Sequence, residues 1–386
     1  MKIEFDPFFL FFLTPLEARL RTIAAKFEIG HTQYLDPDGK PTGPLPRFAQ
    51  DPATLVGMYR WMVQVRVFDT KAIALQRTGQ LGTYASCLGH EAAHVGIGAA
   101  MAREDAFFPM YREYGVQFQR GVHMHEVLLF WGGDERGNCF KDAPAHDFPW
   151  CVPIATQFHH ATGAATAFKY RKQKRCAVTV IGDGGTSQGD FYESLNCAGA
   201  WKLPVVFVVC NNKWAISVPL AAQTACETLA QKAIGGGIYG EQVDGNDIIA
   251  MRDAMDRALK RSRKGEGATL IEAMTYRLSD HTTADDARRY RDAAEVEDHK
   301  AKEPLIRIRK YLETLGAWDA KQEQAWLAEC AARVDAEVAI YKSAGKPPVE
   351  SMFDHMFANL PEKLARQRDA CLELASHADD GHGGAH

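Results

Sequence analysis

Two residues with hard oxygen donors, Asp183 and Asn212, occupy equivalent places in two successive sequence patterns. Asp183 lies in Gly182-Asp183-Gly184-Gly185, directly after the apolar, β-branched run 176–181. Asn212 closes the pair Asn211-Asn212 after a second such run, 205–209, and 26 residues (185–210) separate Gly184 from Asn211. A carboxylate and an amide oxygen suit Mg²⁺ or Ca²⁺ and suit zinc or copper poorly. Two protein donors leave most of an octahedral shell for a ligand such as a diphosphate. The glycines let the backbone turn sharply and come close to that ligand.

The elements that must position these donors follow from the same stretch. The runs 176–181 and 205–209 are short and continuously apolar, as in strands buried on both faces. Between them, Thr186 or Ser187 is expected to cap a helix over 188–202 that Pro204 ends. A strand–helix–strand unit makes the two strands parallel neighbours. Asp183 and Asn212 then stand just beyond adjacent carboxyl ends, where open α/β sheets bind ligands. The helix N-terminus behind the glycines adds donors for phosphate.

Other residues carry possible chemistry. His90-Glu91-Ala92-Ala93-His94 is a formal H-E-x-x-H, which on a helix aims two imidazoles at one zinc ion with a glutamate as base. No downstream ligand completes it, so a zinc peptidase is a remote alternative, as is a non-catalytic α/β protein with a structural turn at Asp183. Arg112, in Tyr111-Arg112-Glu113-Tyr114-Gly115, has the guanidinium that matches a pair of diphosphate oxygens. A further strand expected over 268–277 delivers His281 to the same sheet edge, as a phosphate ligand when charged and a proton carrier when neutral.

The 386 residues, 46% hydrophobic and 24% charged, provide for a large core. A net charge of −4 gives no reason to expect nucleic acid. No apolar run reaches the roughly 18 residues of a membrane span. The nine cysteines are odd in number and never form C-x-x-C, as expected of reduced thiols in the cytoplasm. We read 1–50 as an N-terminal arm, apolar at 7–13, with an extended lead-in over 30–50. Residues 51–300 are expected to be the α/β domain, opened by a helix capped by Asp51, and 301–375 its helical extension. The Gly/His/Asp-rich 376–386 reads as a disordered tail.

The ordered motifs GDGGTSQGDFYE, Asn211-Asn212, Tyr-Arg-x-x-Gly and the His281 loop resemble the alpha subunit of the decarboxylase (first) component of 2-oxo acid dehydrogenase complexes, most like the bacterial pyruvate type. The resemblance implies a thiamine diphosphate-binding α/β fold: a mostly parallel sheet with helices on both faces, plus C-terminal helices. It implies cofactor contacts from Tyr111, Arg112, Val152, Ile154, Gly182, Asp183, Gly184, Gly185, Asn212 and His281, with Ile154 propping the bent cofactor and His281 serving catalysis. Mg²⁺ would be held by Asp183, Asn212 and the backbone carbonyl of Trp214. A K⁺ site near Thr156 and Gln157 would lack one family ligand, because Cys151 replaces a serine. The implied partners are a beta subunit in an α₂β₂ heterotetramer, the lipoyl domain of the acyltransferase component and a 2-oxo acid. Neither nucleic acid nor membrane is expected as a partner. Pyruvate is the first choice of substrate and branched-chain 2-oxo acids the second, since Cys210 stands where branched-chain relatives carry an arginine.

Overall fold

The computed structural model describes residues 22–380. The apolar run 7–13 and residues 381–386 lie outside that range. Six strands form one sheet: β1 (Gly30–Thr32), β2 (Ala106–Phe108), β3 (Ala177–Gly182), β4 (Val205–Asn211), β5 (Tyr239–Asp244) and β6 (Thr269–Met274). Their spatial order is β1-β5-β6-β4-β3-β2, and every pairing is parallel. As expected, β3 and β4 are neighbours in register Ala177↔Val205 through Gly182↔Cys210.

Alternate residues of these strands feed two different apolar clusters. Ala177, Ile181, Val205, Phe207 and Val209 pack with Phe158, Ala161 and Leu195 from the helices Thr156–Tyr170 and Gly189–Ala200. Val178, Val180, Val206 and Val208 pack with Ile97, Met251 and Met255 from the helices Glu91–Ala100 and Ile248–Arg263. The period-2 geometry of a strand thus buries both faces, which is why these runs are almost wholly apolar; the one hydroxyl among them, Thr179, donates to Phe108 O at 3.0 Å. Gly96 lets the second helix pair approach closely, since a Cβ there would sit 2.6 Å from the Met251 Cβ. A third apolar layer joins the helix Pro52–Arg77 to Ile308 and Cys330 of the C-terminal helices Pro304–Thr314 and Ala320–Ser343. Asp51 caps Pro52–Arg77 as expected, accepting from Ala53 N (3.1 Å) and Thr54 N (3.3 Å).

Two expectations change. The lead-in over 30–50 is not merely extended connection: Gly30–Thr32 adds an edge strand to the sheet beside β5. The last helix, Glu362–Asp380, runs into the segment read as a tail.

Asp247 ties the edge strand to the core. It caps Ile248–Arg263 by accepting from Ile249 N (2.9 Å) and Ala250 N (3.2 Å). Its other oxygen accepts from Tyr34 N and Leu35 N, both at 2.7 Å. Asp247→Ala removes the acceptor of four backbone donors, so we expect a destabilisation of about 3 kcal/mol or more in chemical denaturation. A loss below about 1 kcal/mol would show that these donors find other partners.

Candidate active site

A cavity of about 260 Å³ opens at the carboxyl ends of the central strands. It is walled by Gly182 at the end of β3, by residues 183–185 after it, and by Asn212 and Trp214 after β4. Tyr111 and Arg112 enter from beyond β2, His281 from beyond β6, and Ile154 from the turn before the helix Thr156–Tyr170. Residues that the sequence spreads over 171 positions therefore share one pocket at the sheet edge.

Asp183 is buried, and Gln223 Nε2 donates to its Oδ2 at 2.6 Å. Burial raises its pKa above the usual carboxylate value, and among the described residues no ion pair neutralises it. Of the two asparagines, Asn211 is structural, its Nδ2 donating to Glu272 Oε1 at 2.7 Å. Asn212 faces the cavity: its Oδ1 accepts from Trp214 N and its Nδ2 approaches His90 Nε2, both at 3.2 Å. Trp214 O accepts from Arg277 Nη1 at 3.2 Å. Gly184 meets the requirement for close backbone approach, because a Cβ there would lie 2.5 Å from the Ala215 Cβ. The expected hydroxyl cap is not formed. Residues Asp183–Ser187 wind into a 3₁₀ turn, in which Thr186 Oγ1 donates back to Asp183 O at 2.7 Å, and the following helix starts after Gln188.

Two buried guanidinium groups belong to the site: Arg112 in the cavity wall, and Arg277 bonded to the backbone of lining residues Trp214 and Ile216. Arg112 donates to Ser86 O and, at 3.0 Å, to His281 O. Arg277, with no solvent exposure, donates to Ile216 O at 2.8 Å and to Tyr290 Oη at 3.0 Å, and its Nε has no partner among the described residues. Neither arginine forms an ion pair among the described residues. Both stand 3.4 Å from His281 Nδ1, which must then be the acceptor, leaving the proton on Nε2. Burial first, then Arg112 and Arg277, push the His281 pKa down to about 3. The ring is therefore neutral in the protein alone, and the arginines carry the positive charge expected of it.

Val152, expected at the cofactor, and the remote zinc alternative at His90 and His94 meet a different geometry. The Val152 side chain is exposed and outside the cavity, whereas Ile154, 39% exposed, lines it. The H-E-x-x-H pattern does not make a metal centre. His90 precedes the helix, and Glu91 turns away to accept from Arg66 Nε at 2.5 Å and Gly89 N at 2.9 Å. Groups of three candidate metal ligands among the described residues include neither His90 nor His94. Instead their stacked rings, 5.6 Å apart, form part of the cavity wall. Gln157 Oε1 is buried without a partner among the described residues while Nε2 donates to Val180 O at 2.8 Å, so an acceptor is available where K⁺ was expected.

Arg277, Gln223 and Glu113 are site residues that the motifs did not single out. Arg277 ends a run read only as strand, and Gln223 reaches Asp183 from 40 positions away. Glu113 is fully buried in the cavity wall and accepts from Met110 N (2.9 Å) and Arg112 N (3.2 Å). Burial outweighs these bonds and raises its pKa from 4.5 to about 7. Folded protein thus keeps this proton where the unfolded chain has lost it. Stability should fall as pH rises from 4.5 to about 7, with a total effect from this group on the order of 3 kcal/mol. Glu113→Gln should remove that contribution, so the stability difference between variant and wild type should grow in the variant's favour across this window. A constant difference would show that Glu113 does not titrate abnormally.

A family model described as "Dehydrogenase E1 component" matches residues 59–350. The chain is 41% identical over 340 residues to the 3-methyl-2-oxobutanoate dehydrogenase subunit alpha of Mycobacterium tuberculosis, covering 87% of this chain and 92% of that protein. It is 39% identical over 360 residues to the pyruvate dehydrogenase E1 component subunit alpha of Staphylococcus aureus, covering 92% and 96%. The matched span contains every cavity residue described above, and with them the strands β2 to β6 that bring Asp183, Asn212 and His281 together. The chain belongs to the dehydrogenase E1 component family.

Proposed function

We propose that this chain is the alpha subunit of a pyruvate dehydrogenase decarboxylase component, which uses thiamine diphosphate and Mg²⁺. The observation that carries this reading is the imbalance of buried charge. Among the described residues, a carboxylate without a cation, Asp183, and a guanidinium without a carboxylate, Arg112, line one cavity, and a second such guanidinium, Arg277, is bonded to the lining residues Trp214 and Ile216. A metal–diphosphate pair satisfies both at once.

Asp183, the Asn212 Oδ1 and the Trp214 carbonyl would hold the cation, each with a free lone pair. Arg112 and the Nε2–H of His281 would bind diphosphate oxygens, with the buried Arg277 adding positive charge nearby. Glu113, its carboxyl pushed up to about 7, would carry less charge against that anion than an ordinary carboxylate. Ile154 would prop the cofactor from its half-exposed position. When bound, thiamine diphosphate supplies the electron sink through which a 2-oxo acid loses CO₂. Gln157 Oε1, with Thr156 beside it, would serve a K⁺ ion that stiffens this turn.

The cavity is left incomplete on one side. Ile154 and Ile216 line it while staying half exposed, and Val152 and Val218 lie exposed two residues away along the chain. This apolar rim supports a beta subunit that completes the site in an α₂β₂ assembly, from which the acyl group passes to a lipoyl domain. No helix among the described residues is long and apolar enough to cross a membrane. With the unpaired cysteines, this supports a cytoplasmic location. The M. tuberculosis likeness favours a branched-chain 2-oxo acid as the second reading. Pyruvate stands first because Cys210 puts a neutral group on the cavity wall and because the S. aureus likeness spans more of the chain.

The deciding experiment is 2-oxo acid turnover with an artificial electron acceptor, using this chain co-purified with its beta subunit, thiamine diphosphate and Mg²⁺. We expect the highest kcat/KM on pyruvate and none with the separate chain. Asp183→Asn should lower kcat/KM by about 100-fold or more, as loss of a charged metal ligand requires. A preference for branched substrates would establish the second reading, and silence on every 2-oxo acid would overturn both.

A further inference from the structure

Asn212 offers the cavity a carboxamide whose two ends differ in function. Only the oxygen can bind a cation, and a rotated amide would present its NH₂ group instead. Two neighbours decide the orientation. Trp214 N–H donates to one end at 3.2 Å, so that end must be oxygen. The other end lies 3.2 Å from His90 Nε2, which must then supply a lone pair. In the rotated amide, the NH₂ would face the Trp214 N–H, donor against donor.

His90 is well placed for this task. Its backbone N–H is bonded to Cys87 O at 2.9 Å, and the next residue, Glu91, is locked by Arg66 and Gly89. The ring is buried, stacks on His94, and leaves Nδ1 without a partner among the described residues. The Nδ1–H tautomer therefore breaks no bond, and it frees Nε2 as an acceptor.

We infer that His90 is a positioning residue for the metal site: by accepting from Asn212 Nδ2, it fixes the Asn212 oxygen toward the cation. The H-E-x-x-H string thus serves a magnesium site from outside its coordination shell, with a single imidazole as acceptor. The inference rests on the thiamine diphosphate–Mg²⁺ reading. Groups that orient a ligand in this way affect metal affinity without touching the metal.

The test reads cofactor binding and needs no turnover. The full chain with its beta subunit is titrated with Mg²⁺ at fixed thiamine diphosphate, following tryptophan fluorescence, since Trp214 lines the cavity. His90→Leu removes the acceptor and should raise the half-saturating Mg²⁺ concentration on the order of 10- to 100-fold. His90→Gln restores an acceptor oxygen and should stay within about threefold of wild type. Thermal unfolding without Mg²⁺ verifies folding, and His90→Met replaces His90→Leu if the latter does not fold. If wild type and Asp183→Ala behave as the cofactor reading requires but His90→Leu matches wild type, the inference alone is overturned. It is overturned equally if His90→Gln loses as much as His90→Leu, for then the ring's shape and not its lone pair is needed. If wild type shows no Mg²⁺-dependent cofactor binding, or Asp183→Ala is unaffected, the cofactor reading falls and the inference with it.

Discussion

Uncompensated buried charge is the constraint around which this molecule is arranged. Moving an ion out of water costs several kcal/mol even after relaxation, and the site holds Asp183 and Arg112 in the cavity wall, with Arg277 bonded to lining residues Trp214 and Ile216, none with an ion-pair partner among the described residues. Backbone carbonyls offset part of this cost: Ser86 O and His281 O for Arg112, and Trp214 O and Ile216 O for Arg277. Three of those carbonyls, of Trp214, Ile216 and His281, lie beyond the carboxyl ends of β4 and β6, and that of Ser86 lies in the loop between two helices. The sheet thereby makes the charged site tolerable, and the site in turn requires the sheet's carboxyl edge.

The same edge concentrates backbone strain. Ala155, Lys213 and Ile216 adopt left-handed φ values of 74°, 74° and 55°, all without being glycine. Each flanks a residue given a role above: Ile154, then Asn212 and Trp214, then Ala215 against Gly184. Such conformations cost on the order of 1–3 kcal/mol and persist only where surrounding contacts impose them. Here the imposing contacts include the Arg277 bond to Ile216 O, so the guanidinium also shapes the turn that delivers Trp214 O.

What could be read from the sequence follows from how far apart the interacting residues lie. The β3–β4 unit was legible because its signals are local: two apolar runs, a glycine turn and a fixed spacing dictate parallel pairing and bring Asp183 and Asn212 together. His281 and Arg112 were legible through motifs. Arg277 was not, because an arginine at the end of a strand-like run carries no mark of burial until residues 214–216 fold over it. Gln223 and His90 likewise gain their roles only from tertiary contacts with Asp183 and Asn212. The 3₁₀ turn after Asp183 escaped notice because Thr186 bonds backward to the chain rather than forward to the helix. The edge strand β1 was hidden by its length, three residues in a Pro/Gly-rich stretch.

That edge strand imposes an order of events on the newborn chain. His31 lies beside Gln242, 211 positions later. At a synthesis rate of roughly 5–20 residues per second, β1 leaves the ribosome about 10–40 seconds before its partner exists. β2, β3 and β4 are consecutive neighbours and can pair during this interval, but β6 and β5 must be inserted beside β4 before β1 has an edge to join. A long apolar strand left waiting would invite association with other nascent chains. Gly30–Thr32 is short and polar, with two of its three residues exposed, so the segment that waits longest offers other chains little to bind.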